Sequence, residues 1–253
     1  MTVPLDDRGL LLGDGLFETV LAQDGGLIRL EAHLDRMAAG CAVLGLPAPD
    51  PVEAEALMRR AAAPLGGARA AVRLTLTAGS GGRGLDRPPA PALRLFATAA
   101  ASPKPTAPAR LALSQVRRND GSPASRLKSL AYLDNVLARR EALAAGADEA
   151  VMLNTRGELA CCGVANLYWI SEGRLWTPAL DCGVLAGIVR GELMAGAQAA
   201  GIEVAVARTG PEALARAEAI LISNSLIGVR QVSSFGERTL APHALAECLA
   251  DLI

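Results

Sequence analysis

Residues 101–110 read Ala-Ser-Pro-Lys-Pro-Thr-Ala-Pro-Ala-Arg, and this stretch divides the chain. Pro103, Pro105 and Pro108 remove backbone donors and lock φ, so neither a helix nor a central strand runs through it. We read 1–100 as a smaller N-terminal α+β domain, 101–109 as an interdomain linker and 110–253 as a larger C-terminal domain. Working back from the linker, Ala92–Ala99 and Ala70–Ala78 alternate as paired strands. Pro51–Ala63 and Glu31–Leu44 carry helical spacing, with Leu34, Met37, Ala38, Cys41 and Leu44 on one face. Leu16–Leu21 and Gly26–Leu30 flank Asp24-Gly25-Gly26 as a hairpin. Working forward, Arg110–Val116 reads as a strand and Ser129–Ala145 as a helix capped by Gly146. Short strands follow at Ala150–Asn154, Ala165–Ile170, Arg174–Thr177, Glu203–Ala207 and Ala219–Ser223, with helices at Gly187–Ala200 and Pro211–Ala217. The fold class is α+β in two domains.

Composition removes several function classes. The chain has 253 residues, 51% of them hydrophobic and 20% charged, which suits packed domains. Net charge is −1, with no Lys/Arg block for nucleic acid and no basic amphipathic stretch for a membrane surface. No apolar run reaches the length of a bilayer span, and the start MTVPLDDRGLLLGDGLFETV lacks the basic-then-apolar pattern of a secretory signal. Cys41, Cys161, Cys162, Cys182 and Cys248 form no CxxC pair, so neither a disulfide framework nor a zinc site is expected, and a reducing cytoplasm fits. His33 and His243 are the only histidines, and no GxSxG elbow occurs. A serine triad and a multi-histidine metal site are therefore disfavoured, and catalysis is left to a lysine, a carboxylate or a cofactor.

Five motifs carry chemistry. Gly79-Ser-Gly-Gly-Arg-Gly84 matches GxGxxG, but Leu-Asp-Arg-Pro-Pro follows it, and no helix opens there to receive a pyrophosphate. It reads as a hairpin tip from which Arg83 presents a guanidinium to an anionic substrate. Lys128, in Arg-Leu-Lys-Ser-Leu, precedes the expected helix at Ser129; the positive helix end favours the neutral amine that forms an imine. The turn before the helix at Gly187 aims the amides of Gly187, Ile188 and Val189 outward, as a phosphate requires. Ser225 in Ser-Asn-Ser-Leu-Ile-Gly offers a hydroxyl to the same kind of anion, and Arg36, off the apolar face of its helix, offers a cation.

In order along the chain, Asp7-Arg8-Gly9, Gly13-Asp-Gly15, Phe17-Glu18 and His33-x-x-Arg36 come first. Lys128-Ser-Leu-Ala-Tyr-Leu, Ala165-Asn166-Leu167, Thr177-Pro178, Gly187-Ile-Val-Arg190 and Ser223-Asn-Ser225 follow. This set resembles the class IV (fold-type IV) enzymes that depend on pyridoxal 5'-phosphate (PLP), the D-amino acid aminotransferase-like fold. The resemblance implies a homodimer with the site between the two domains, near the subunit interface. It implies Lys128 as Schiff-base lysine and proton shuttle. It places Arg36, the amides of Ile188 and Val189, and Ser225 on the phosphate, and Tyr132 near the cofactor's phenolic oxygen. Within the family, Ser80-Gly-Gly-Arg-Gly84, Cys161-Cys162 and Asn224-Ser225-Leu226 resemble the aminodeoxychorismate lyases, which make 4-aminobenzoate and pyruvate for folate synthesis. D-amino or branched-chain aminotransferase activity is the first alternative, and a PLP-binding protein with little turnover, used for cofactor storage or regulation, is the second. One position departs: five residues before Asn166, where the family places a glutamate for the pyridine nitrogen, this chain has Cys161. Glu158 lies three residues earlier.

Overall fold

In the strand β1 (Gly15–Gln23), Leu16, Val20 and Ala22 fall on one face of a sheet by the two-residue period of extended chain. The computed structural model, which describes residues 2–253, pairs β1 antiparallel with β2 (Gly26–Ile28) and with β3 (Ala70–Thr77). The strand β4 (Arg94–Ala101) completes a four-stranded sheet of order β2-β1-β3-β4. Two helices cover the face bearing Leu16, Val20, Val72, Leu74 and Leu76: α2 (Leu30–Leu44) contributes Met37 and Cys41, and α3 (Pro51–Ala62) contributes Ala54 and Met58. Each such leucine or methionine, taken fully from water, contributes about 1.5–3 kcal/mol. A short helix, α1 (Arg8–Leu12), is capped by the Asp7 carboxylate on the amides of Gly9 and Leu10.

The chain divides into two compact units. The first holds the described residues up to Lys104 together with Leu127–Ala131; the second holds Pro105–Arg126 and Tyr132–Ile253. The return of Leu127–Ala131 has no counterpart in a linear division at 101–109. β4 runs to Ala101, so the irregular stretch before the next strand is 102–108.

The second unit is built on nine strands: β5 (Ala109–Arg118), β6 (Glu149–Asn154), β7 (Leu159–Cys162), β8 (Asn166–Ser171), β9 (Arg174–Pro178), β10 (Val204–Ala207), β11 (Ala219–Asn224), β12 (Gly228–Phe235) and β13 (Arg238–Thr239). The order is β10-β9-β8-β11-β12-β5-β6-β7, with β13 paired to β12. The sheet curls: β7 stands at one edge of that order, yet only residues 163–165 join it to β8 inside it. Leu111, Val151, Leu153, Leu159, Leu167, Trp169, Ile220 and Ile222 fill its inside. Their neighbours point outward. Ala150 and Met152 meet Ala138 and Ala142 of α4 (Leu133–Ala144). Tyr168, Ile170 and Leu221 meet Val189 and Leu193 of α5 (Ile188–Ala199). A short helix α6 (Glu212–Arg216) packs Leu214 under the inner cluster, and α7 (Ala244–Asp251) adds Leu249 to the outer one. Sequence reading missed α1, α7, β7, β12 and β13, all short or irregular in pattern. Among the described residues, no helix is long and apolar enough to cross a membrane.

The expected helix Ser129–Ala145 begins only at Leu133. Residues 128–130 are drawn into extended pairing with β1 instead. The Phe17 amide donates to the Lys128 carbonyl at 2.9 Å, the Leu130 amide to Gly15 at 3.0 Å, and Ser129 forms a bridge with Leu16. The helix end does close as expected: Gly146 sits at φ 72° and its amide reaches Leu143.

Candidate active site

In the first unit, the pairing with β1 sets the Lys128 amine over the ring of Phe17, Nζ lying 4.3 Å from the centroid. The Arg73 guanidinium of β3 lies over the same ring at 3.6 Å. Burial pulls the Lys128 pKa down to about 8 from its ordinary 10.5; Glu18 pulls it up, and Arg36 and Arg73 push it down further. The helix dipole therefore does not explain the lowered pKa, since Lys128 is five residues from the first turn of α4. Desolvation does.

Glu18 shares the helix-facing side of β1 with Leu16 and Val20, a carboxylate in an apolar row. His33 and Arg36 sit three apart on α2, hence on one face, and both grip it. Arg36 forms a fork, Nε donating to Oε1 at 2.8 Å and Nη2 to Oε2 at 2.6 Å. His33 Nδ1 lies 2.7 Å from Oε2. Burial alone pushes the Glu18 carboxyl up, but the hydrogen bonds from Arg36 and His33 outweigh it and hold the group below the ordinary carboxylate range.

Arg83 is exposed, in a loop pinned from below by the buried Arg8. Arg8 Nη1 and Nη2 donate to the carbonyls of Asp86 and Leu85 at 2.9 and 2.8 Å, and Nε to Asp14 at 2.9 Å. Arg87 grips the same Asp14. The Asp7-Arg8 and Gly13-Asp-Gly15 motifs thus serve as anchors of that loop. Gly15 is needed because a Cβ there would fall 2.2 Å from the Leu76 carbonyl.

The second unit carries the other predicted residues. Gly187 caps α5 with no side-chain hydrogen bond, so the first amides, at Ile188 and Val189, are not claimed by a capping side chain. Asn166, buried at the start of β8, donates from Nδ2 to the Leu185 carbonyl at 3.0 Å and holds the turn before the helix. A Cβ on Gly187 would lie 1.9 Å from Asn166 Oδ1, so the pair fits only with glycine. Arg190 is buried in the first turn of α5, donating to Thr177 Oγ1 at 3.3 Å and to the Pro178 carbonyl at 3.1 Å. Ser225 is half-buried in the turn after β11, where Asn224 Oδ1 accepts from the amides of Leu226 and Ile227. Tyr132 stands immediately before α4, half-buried.

Cys161 lies on β7, buried among Ala160, Cys182 and Val184. Burial pushes its thiol up, so it stays neutral. Glu158 does not replace it. Its carboxylate accepts from Asn154 Nδ2 at 2.7 Å and pairs with Arg156 at 3.0 Å, which commits it to the turn before β7. Three groups escaped the sequence reading as functional residues. Arg73 had a signal, a charge between Val72 and Leu74 in an alternating strand. Glu18 and His33 were visible only as parts of motifs.

A family model described as amino-transferase class IV matches residues 15–235. The chain belongs to the amino-transferase class IV family. An aminodeoxychorismate lyase of Vibrio harveyi is 28% identical over 236 residues, covering 91% of this chain and 86% of the relative. A D-alanine aminotransferase of Listeria monocytogenes is 31% identical over 245 residues, covering 92% and 82%. The solved branched-chain amino acid aminotransferase of T.th., complexed with N-(5'-phosphopyridoxyl)-L-glutamate, superposes with a TM-score of 0.88 at 25% identity, covering 99% of this chain and 87% of that one. The fold is that of the fold-type IV enzymes. The family acts on small molecules, and its members divide between lyase and aminotransferase chemistry.

Proposed function

We propose that this protein is a PLP-dependent lyase that converts 4-amino-4-deoxychorismate into 4-aminobenzoate and pyruvate, working as a homodimer. The observation that carries the reading is the half-buried Lys128 amine, set on the Phe17 ring with its pKa lowered to about 8. The donor set suits PLP. It combines one amine that is readily neutral, one guanidinium fixed by a carboxylate, and a helix start whose first amides no side chain caps. Lys128 would hold the aldehyde carbon, and Arg36, the amides of Ile188 and Val189, and Ser225 would hold the phosphate. Asn166 and Gly187 would shape that turn, with Tyr132 beside the phenolic oxygen.

When bound, PLP supplies an aldehyde that captures amines and a conjugated ring that accepts electrons. Around it, Lys128 Nζ has two tasks. It yields its place to the substrate amine, and as a neutral base it takes the proton from the carbon bearing nitrogen. A pKa near 8 keeps an appreciable neutral fraction at physiological pH. Cys161, a buried neutral thiol, would leave the pyridine nitrogen without a carboxylate partner. That weakens the electron sink, which harms transamination more than an elimination driven by forming an aromatic ring. Similarity to the Vibrio harveyi lyase supports this reading, as do Ser80-Gly-Gly-Arg-Gly84, Cys161-Cys162 and Asn224-Ser225-Leu226. Arg83 is then assigned to a substrate carboxylate.

A D-amino or branched-chain aminotransferase is the second reading, favoured by the similarity to D-alanine aminotransferase. The test is pyruvate release from aminodeoxychorismate with PLP and no keto acid, in wild type and Lys128→Ala. Catalytic release, lost in the variant, is expected. No release, together with a visible-band change on adding D-alanine or L-leucine, would replace the lyase with the aminotransferase.

A further inference from the structure

The His33 side chain has no substrate-facing role in the reading above, yet it is fully buried and sits 2.7 Å from a carboxylate. Its other ring nitrogen, Nε2, has no hydrogen-bond partner among the described residues. An apolar residue at this position could not donate to that carboxylate. The role of the histidine is visible in the geometry. Glu18 is ionised, and a carboxylate only accepts hydrogen bonds, so Nδ1 must carry the proton and donate it to Oε2. Oε2 also accepts from Arg36 Nη2 at 2.6 Å, while Oε1 accepts from Arg36 Nε at 2.8 Å. The carboxylate is thereby held on one side by the imidazole and holds one edge of the guanidinium on the other. A planar fork leaves little freedom: fixing Nε and Nη2 fixes the directions of all five N–H groups, and the remaining three point away from Glu18.

We propose that His33 and Glu18 are positioning residues for Arg36, a relay that presets the guanidinium for a phosphate group that the histidine never touches. The proposal rests on the reading of Arg36 as part of a phosphate clamp. It accounts for the spacing of His33-x-x-Arg36, since only residues three or four apart on α2 can reach one carboxylate from β1. It also accounts for a carboxylate in the apolar row of β1. Without Glu18 the guanidinium would choose among rotamers, and the phosphate would have to select one on binding.

The experiment uses the full-length chain freed of cofactor and measures the dissociation constants of PLP and of pyridoxal, which lacks the phosphate. Their ratio isolates the phosphate contribution. His33→Leu removes the donor, and His33→Asn places an amide N–H where Nδ1 was. His33→Leu should lower the ratio about tenfold, the value of one charge-assisted hydrogen bond. His33→Asn should hold it within about twofold, and in an Arg36→Ala background His33→Leu should change nothing further, because the relay acts only through Arg36. Should His33→Leu fail to fold, His33→Gln takes its place with the same expectation, since its longer side chain carries the amide away from the Nδ1 position.

A wild-type ratio in His33→Leu, or the same drop in the Arg36→Ala background, would overturn the relay while leaving the clamp intact. A wild type that binds PLP no more tightly than pyridoxal, or an Arg36→Ala variant with the wild-type ratio, would instead remove the clamp on which the relay rests.

Discussion

Replacing Lys128 by methionine should make the cofactor-free chain more stable at neutral pH. The lysine pKa is about 8 in the folded chain and 10.5 in the open one. A shift of that size costs the folded state about 3 kcal/mol while the amine is charged. The contact of the ammonium with Phe17 is already part of that balance, so the gain on substitution at pH 7 is about 3 kcal/mol. The sign follows from proton binding. Below pH 8 both states carry the proton and the folded state bears the whole cost. Between 8 and 10.5 the unfolded chain binds more protons than the folded one, so wild-type stability rises with pH; above 10.5 the cost is gone. The advantage of Lys128→Met should therefore shrink by about 2 kcal/mol between pH 7 and pH 10. Urea unfolding of both proteins at pH 7, 8, 9 and 10 measures this, other titrations cancelling in the difference. A variant less stable than wild type at pH 7, or a gain unchanged at pH 10, would show that the amine is not held in a desolvated setting. Stability given up at a reactive group is what a functional lysine entails.

Two further outcomes follow from the geometry. Gly187→Ala puts a methyl 1.9 Å from Asn166 Oδ1, so the turn before α5 must shift; we expect a loss of about 1–3 kcal/mol in unfolding free energy and weaker PLP binding, measured by denaturation and by equilibrium dialysis. Of the five cysteines, Cys248 is exposed and Cys41, Cys161, Cys162 and Cys182 are buried with raised thiol pKa values. A thiol reagent at neutral pH should therefore label Cys248 quickly in the native chain and the other four only on unfolding, as read by mass spectrometry; rapid labelling of Cys161 would contradict its buried, neutral state.

The sequence by itself determined the elements with a strong period and a clear end. The alternation from Ala70 to Ala78, the helical spacing from Glu31 to Leu44 and the glycine after the α4 helix are local properties, and each appears within a residue of where the pattern puts it. It also carried the family, because Lys128, Asn166 and the Gly187-Ile-Val-Arg190 turn are short ordered motifs. What it left open is where strands join and which groups meet. The segment 128–130 has the composition of a helix start, yet β1 offers unpaired carbonyls and amides at Gly15 and Phe17, and pairing with them wins over one more helical turn. That long-range pairing, between residues over a hundred positions apart, places Lys128 on Phe17 and lowers its pKa by burial rather than by a dipole. The grip of His33 and Arg36 on Glu18 is of the same kind. The helix spacing is legible in the chain, but only the packing of α2 on β1 decides that one carboxylate serves both, because a buried charge is tolerable only where the fold brings its partners to it.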